Sequence, residues 1–455
     1  MAQNDFTQGK MHRNILRLAL PMALAQLINV LYNIVDRMYI GHIPEIGMIS
    51  LTGLGITFPI IMIVSAFTNL FGQGGAPLCS IARGEGDLDK AERIMGNSFT
   101  LLLLSGAILT IVGLLIKRPR LYWFGASDAT FPYANSYITI YLLGSLFVMI
   151  GLGMNAFINS QGFGRVGMCT VLLGAITNII LDPIFIFLFN MGVQGAALAT
   201  ILSQALSAAW VLRFLKGPRA ILHLRLRNMR LEPALVKRIT SLGLSGFTMA
   251  CTNSAVQIAC NASLQLFGGD LYVGIMTVIN SVREMISMPI SGITSGSQPV
   301  LGYNYGAGCG RRVREGIRFN ILICITYSVF MWALVMMLPI VFIRIFNQDA
   351  ELLTIGASSM RIYYFGFFLM SLQFIGQSTF VALGKAKQAT FFSLFRKVIL
   401  VVPLVLLLPR IGLGVDGVFW AEPISDLIGG GACFLTMMLT VWPALKDKEE
   451  SHATL

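Results

Sequence analysis

The sequence predicts an all-helical integral membrane protein, with about twelve transmembrane helices in two pseudo-symmetric six-helix bundles. Three observations carry this reading. The 455 residues are 55% hydrophobic and 12% charged, with a mean hydropathy of +0.74; a soluble globular chain carries about 25% charged residues. The apolar residues fall in repeated stretches of roughly 20, the length that crosses a bilayer as helix. They lack the alternation over about ten residues that marks a membrane barrel. Finally, a spaced set of Gly and Pro recurs half a chain later.

In chain order the spans run near 14–40, 48–72, 94–116, 131–157, 166–190, 193–215, 236–264, 271–297, 317–343, 357–381, 388–409 and 415–442. The first follows Arg13 and Arg17. It is too long for a signal-peptide core and has no small-residue cleavage site. Connections are short except for a basic stretch from Arg213 to Arg238. An inside N-terminus puts most Lys and Arg in the cytoplasm, including Lys10, Arg83, Arg93, Arg311, Arg314, Lys385 and Lys448. It leaves only Lys117, Arg118, Arg120, Arg344 and Arg410 outside. Both termini are therefore expected in the cytoplasm. The net charge of +12 is accounted for by this topology and gives no reason to invoke nucleic acid. The basic middle loop is a candidate contact for anionic lipid. The seven cysteines form no CxxC pair, so neither a metal site nor a disulfide framework is expected.

The repeat has an offset of 222 (296 − 74). Gly74, Pro77, Gly84 and Gly86 recur as Gly296, Pro299, Gly306 and Gly308. Gly192-Val193-Gln194-Gly195 recurs at the same offset as Gly414-Val415-Asp416-Gly417. Six spans per half give both halves one orientation, a parallel repeat of the kind that holds substrate between halves. The expected lobes are 1–222, helices 1–6, and 223–455, helices 7–12.

Polar residues inside the spans mark the candidate sites. Asn178 and Asp182 lie four residues apart on one helical face within the apolar run 171–189. Pro183 follows and removes a backbone donor, which invites a kink. A carboxylate at that depth faces a partner, a cavity or an ion path. Asp36 sits near the outer end of span 1, and Thr200 about 12 Å below the outer surface on span 6. These four oxygen-bearing groups suit Na⁺ or a shared proton. Under the repeat, Thr200 corresponds to Glu422 and Gln204 to Asp426. Arg396 and Lys397 sit near mid-span, as do Arg283 and Glu284. These charges either neutralise one another across helices or leave an acid facing a cavity. The second alternative is favoured for Glu422, because Pro423 follows it as Pro183 follows Asp182.

The segments Leu20-Pro21, Asp36-Arg37-Met38-Tyr39-Ile40-Gly41, Gln161-Gly162-Phe163-Gly164-Arg165, Asn178 to Pro183 and Gly192 to Thr200 resemble the multidrug and toxic compound extrusion (MATE) family, most of all its MepA-like bacterial branch. The likeness runs through nearly the whole chain. It implies two six-helix bundles around a V-shaped cavity, the MATE/MOP-type fold, and alternating access driven by H⁺ or Na⁺ antiport. It implies that Asp36, Asn178, Asp182, Thr200 and Asn155 form the cation site, a metal site if Na⁺ couples, with Tyr137 beside it and Pro21 as the proline that bends helix 1. Where one branch of the family carries acids on helices 7 and 10, this chain offers Asn253, Gln257, Asn261, Gln373 and Gln377, so no second cation site is expected there. Candidate substrate contacts are Tyr137, Gln257, Arg283, Glu284, Glu422 and Asp426.

The expected function is export of organic cations (dyes, biocides, antibiotics) across the bacterial cytoplasmic membrane by a monomeric antiporter. No cofactor is expected beyond the coupling ion, and lipid is the only other partner. The alternative is a flippase for lipid-linked saccharides or other anionic lipids, kept open by Arg283, Arg396 and Lys397. HExxH, GxSxG and Walker A motifs are absent, which disfavours an enzyme or an ATP-driven pump.

Overall fold

The structure is a computed structural model that describes residues 5–124, 126–345 and 350–453. The side chains of Arg120 and Lys448, which enter the charge bias above, lie outside the described residues. Among the described residues there is no strand. The helices are α1 (Met11–Gly41), α2 (Gly47–Gly84), α3 (Leu88–Leu115), α4 (Lys117–Trp123), α5 (Phe131–Ser160), α6 (Gly164–Pro183), α7 (Val193–Lys216), α8 (Pro233–Gly306), α9 (Gly310–Met337), α10 (Pro339–Arg344), α11 (Ala350–Tyr364), α12 (Phe367–Ala382), α13 (Ala386–Leu394), α14 (Val402–Leu407), α15 (Gly414–Ser425) and α16 (Gly431–Ala453). Among these residues nine helical stretches are long and apolar enough to cross a membrane, and ten if α11 and α12, bent by 43°, form one span. Two stretches exceed a single crossing: Pro233–Gly306 has 74 residues and Ala386–Lys446 has 61. The first breaks at Gly269 (φ 72°) and the second at Gly412 (φ 109°) and Gly414 (φ 55°). Taking each as two crossings brings the ten to twelve. The protein is a multi-pass membrane protein.

The repeat is visible in the backbone. Gly86 and Gly308 have φ of 81° and 75°, Gly162 and Gly384 of 90° and 69°, and Gly192 and Gly414 both of 55°. Each pair obeys the offset of 222, and each turn lies in the left-handed region that glycine enters without strain. The second glycine of the Gly192 motif has a different duty. A Cβ on Gly195 would sit 2.7 Å from the carbonyl carbon of Phe185, and one on Gly417 2.7 Å from that of Leu408. The start of α7 and of α15 therefore packs backbone to backbone against the segment before it.

Two compact units emerge. Unit 1 comprises Met1–Asp5 and Leu20–Gly243; unit 2 comprises Phe6–Ala19 and Leu244–Leu455. The division differs from 222/223 in a reciprocal way. The first turns of α8 belong to unit 1, and the first turns of α1 belong to unit 2. Close backbone approach explains both. A Cβ on Gly74 would meet Ile239 O at 2.4 Å, and one on its repeat partner Gly296 would meet Ala19 Cα at 2.3 Å. Small residues let helices in lipid approach this closely. α1 runs on through Pro21, which lies next to the change of unit.

The basic middle loop is folded onto α3. Arg225 and Arg227 pair with Glu92 and Asp89, both at 3.4 Å, and Arg93 pairs with Glu232 at 3.1 Å. Its charge is thus partly matched within the protein. Lys117, one of the outer exceptions to the charge bias, donates to Thr139 Oγ1 at 2.8 Å from the short helix α4.

Candidate functional site

Unit 1 gathers its intramembrane polar groups from four helices. α1 supplies Tyr32 and Asp36, α5 Tyr137 and Tyr141, α6 Asn178 and Asp182, and α7 Thr200. The i, i+4 spacing on α6 works as the sequence predicts. Asn178 Nδ2 donates to Asp182 Oδ1 at 3.3 Å and reaches Thr200 Oγ1 on α7 at 3.4 Å. Asp36 and Asp182 hydrogen bond to each other, carboxyl to carboxyl. Tyr137 hydrogen bonds to Thr200, and Thr200 also donates to its own helix at Ala196 O, 3.0 Å. Tyr32, one turn before Asp36 on α1, faces both acids. Its spacing from Asp36 is the signal that would have found it in the sequence.

The electrostatics are unusual. Asp182 is fully buried, Asn178 is 1% exposed and Asp36 8% exposed. Among the described residues no base forms an ion pair with either acid. Arg37, the adjacent cation, lies 5.9 Å from the centre of the Phe58 ring. Two carboxylates in hydrogen-bonding contact cannot both stay ionised at such a place without a proton between them or a cation beside them. Apart from the contact between the two acids, Asp36 Oδ1, Asp182 Oδ2 and Asn178 Oδ1 are buried and receive no hydrogen-bond donor. Orphaned buried oxygens on two acids and an amide, with a hydroxyl adjacent, fit a hard cation or a proton. Among the described residues no group of three His, Cys, Asp or Glu is placed to hold a metal ion, so a bound cation here would draw on the amide and hydroxyl as well as the two acids. Pro183 ends α6 directly after Asp182, and the wider turn Ile184–Leu188 follows. Asn155 stands apart. It donates to Gly167 O at 3.1 Å near the start of α6, roughly 16 Å along that helix from Asn178.

Unit 2 holds a different cluster. Glu422 on α15 is contacted by three bases. Arg283 Nη1 reaches Oε1 at 2.8 Å, Lys397 Nζ reaches Oε1 at 2.9 Å and Arg396 Nη1 reaches Oε2 at 3.1 Å. Arg396 also pairs with Asp426. Arg283 donates to Tyr363 Oη at 2.6 Å and lies over its ring. Glu422 is 4% exposed and Asp426 3%. The preferred expectation for Glu422, an acid open to a cavity, is therefore corrected: both its oxygens are spent on bases from two other segments. Adjacent residues on an α-helix do not share a face. Arg396 and Lys397, adjacent in the wider π-helical turn Phe395–Val401, nonetheless both reach Glu422, each at a different oxygen. Of the other candidate substrate contacts, Glu284 and Gln257 are exposed on α8 and do not join the cluster.

Comparisons with known proteins agree with this architecture. A family model described as MatE matches twice, at residues 21–184 and 246–407. The multidrug export protein MepA of Staphylococcus haemolyticus (strain JCSC1435) is 24% identical over 437 residues, covering 95% of this chain and 94% of that protein. MepA of Staphylococcus aureus (strain NCTC 8325 / PS 47) is 24% identical over 445 residues, covering 97% and 96%. Among solved structures, a MATE protein in the bent conformation superposes with a TM-score of 0.92 at 22% identity, covering 100% of this chain and 99% of that one. An outward-facing multidrug resistance MATE family transporter of the MOP superfamily gives 0.90 at 22%, covering 98% and 99%. With both repeats matched and the fold shared end to end, the chain belongs to the MatE family of multidrug and toxic compound extrusion transporters.

Proposed function

We propose that this transporter exports organic cations in exchange for H⁺ or Na⁺, and that the Asp36–Asp182 pair is the coupling site. The observation that carries the reading is the contact between two buried carboxyl groups that, among the described residues, form no ion pair with a base, with an oxygen on each that receives no donor. Such a pair holds a proton or cation in one state and must lose it in another, which is what antiport requires. The names of the MepA relatives, multidrug export proteins, support the direction and the broad substrate class. On this reading the transporter works in the bacterial cytoplasmic membrane as a single chain with both termini inside. A flippase for anionic lipids would be expected to present unpaired bases. Arg283, Arg396 and Lys397 are instead held by Glu422 and Asp426, which favours the exporter. The test is dye transport in proteoliposomes with the H⁺ and Na⁺ gradients imposed separately. Transport driven by one of them and lost in Asp182→Asn supports the proposal, and transport indifferent to both overturns it.

A further inference from the structure

We propose that Lys397 is a second proton-carrying residue, which binds and releases a proton in unit 2 during the cycle whose coupling pair lies in unit 1. This rests on the antiport reading and extends it to a group that reading does not use. The argument begins with charge. The unit 2 cluster sets three bases, Arg283, Arg396 and Lys397, against two acids, Glu422 and Asp426. Arg396 is 5% exposed and Lys397 7%. A surplus positive charge inside a membrane protein is expensive unless it is neutralised. Arginine does not give up its proton in proteins, whereas a lysine ammonium does. Protonating either acid would enlarge the surplus. Lys397 is therefore the member whose change of state balances the cluster.

The geometry suits that role. Glu422 remains held at both oxygens by Arg283 and Arg396 when Lys397 is neutral, so the acid is not stranded. The groups facing Lys397 are Glu422 from α15, Asp426 from the turn beyond it, Arg283 and the Cys260 thiol from α8, and Arg396 beside it. Tyr363 from α11 fixes Arg283. A cation arriving near this cluster would disfavour the ammonium further. The step is a simple one: one N–H bond of the ammonium breaks, its electron pair stays on Nζ, and the proton passes to water. The amine regains a proton when the cation leaves. Lys397 also sits in a π-helical turn, a feature that recurs at functional sites in helices.

Direct titration of the purified full-length protein tests this without relying on transport. Wild type and Lys397→Arg are titrated across the pH range in which both stay folded. Arg keeps the charge but holds its proton, so the variant should exchange one proton fewer. Equal proton counts would overturn the proposal. Lys397→Met provides a second arm. It leaves two bases against two acids, so its melting temperature should hold or rise while one exchanged proton disappears. Loss of the fold in Lys397→Met with equal titration in Lys397→Arg would leave only a structural ion pair. Stabilisation of wild type by chloride or acetate, abolished in Lys397→Met, would make the surplus charge an anion site and also overturn the proposal. In proteoliposomes, losing one coupled proton lowers the limiting dye gradient about tenfold for each unit of imposed pH difference. If wild type itself moves no dye under either a pH or a Na⁺ gradient, the antiport reading fails, and the titration still decides the role of Lys397.

Discussion

Tyr141, Thr200 and Gly174 in unit 1 correspond through the repeat to Tyr363, Glu422 and Arg396 in unit 2. At these positions unit 1 carries no charged side chain, whereas unit 2 carries an acid and a base. Among the described residues, unit 1 has two acids in contact with no base paired to them, and three buried acceptor oxygens that receive no donor. Unit 2 has two acids and three bases, and every oxygen of Glu422 is engaged. Packing permits the exchange. A Cβ on Gly174 would lie 2.7 Å from Ser207 Oγ, whereas in the other half Arg396 lies over Gly429, whose absent Cβ would meet its Cγ at 2.7 Å. A small pair in one half has become a large residue over a glycine in the other. The same scaffold thus makes one cluster of two acids without a paired base and one that nearly balances itself.

The comparison can be broken most sharply at Asp182. In Asp182→Asn the amide can donate to Asp36 as a protonated acid would, so the fold should survive while the exchangeable proton or cation is lost. Coupled efflux should fall by about a hundredfold or more, equivalent to roughly 3 kcal/mol, with normal amounts of protein in the membrane. Wild-type resistance in cells carrying this variant would sink the assignment. Glu422→Gln should do the reverse. It leaves Arg283 and Lys397 without their carboxylate in a buried place, and breaking such a pair costs about 3–5 kcal/mol. The expected readout is a collapsed melting temperature and poor expression. A well-folded Glu422→Gln protein with weakened affinity for a cationic dye would restore the cavity role. The smallest effect belongs to Tyr137→Phe. It removes one hydrogen bond to Thr200, worth about 0.5–1.5 kcal/mol. Ion or proton affinity at the unit 1 site should weaken roughly two- to tenfold, and an unchanged affinity would place Tyr137 outside the site.

Much of the unit 1 cluster was legible in the chain because it depends on local periodicity. Asn178 and Asp182 meet by helical spacing alone, and Pro183 marks the end of α6 as its missing donor requires. The number of spans and the repeat were also legible, since bilayer thickness sets helix length and left-handed turns demand glycine. Asn155 shows the limit. Resemblance placed it in the site, but its amide is used at the start of α6, beside Gly167.

The sequence by itself determined the class, the twelve crossings, the two related halves and the i, i+4 acid–amide pair on α6. Each of these follows from residue type and spacing along one segment. The tertiary structure decided which segments meet. It brought Asp36 from α1 onto Asp182, gave the first turns of α1 and α8 to opposite units, and turned Glu422 from a candidate open acid into the anchor of three bases. In a low-dielectric interior the role of a charge is set by the charges it touches, and those lie on segments 26 to 146 residues away in the chain: Asp182 on the fifth span finds Asp36 on the first, and Glu422 finds Arg283 and Arg396 on two others.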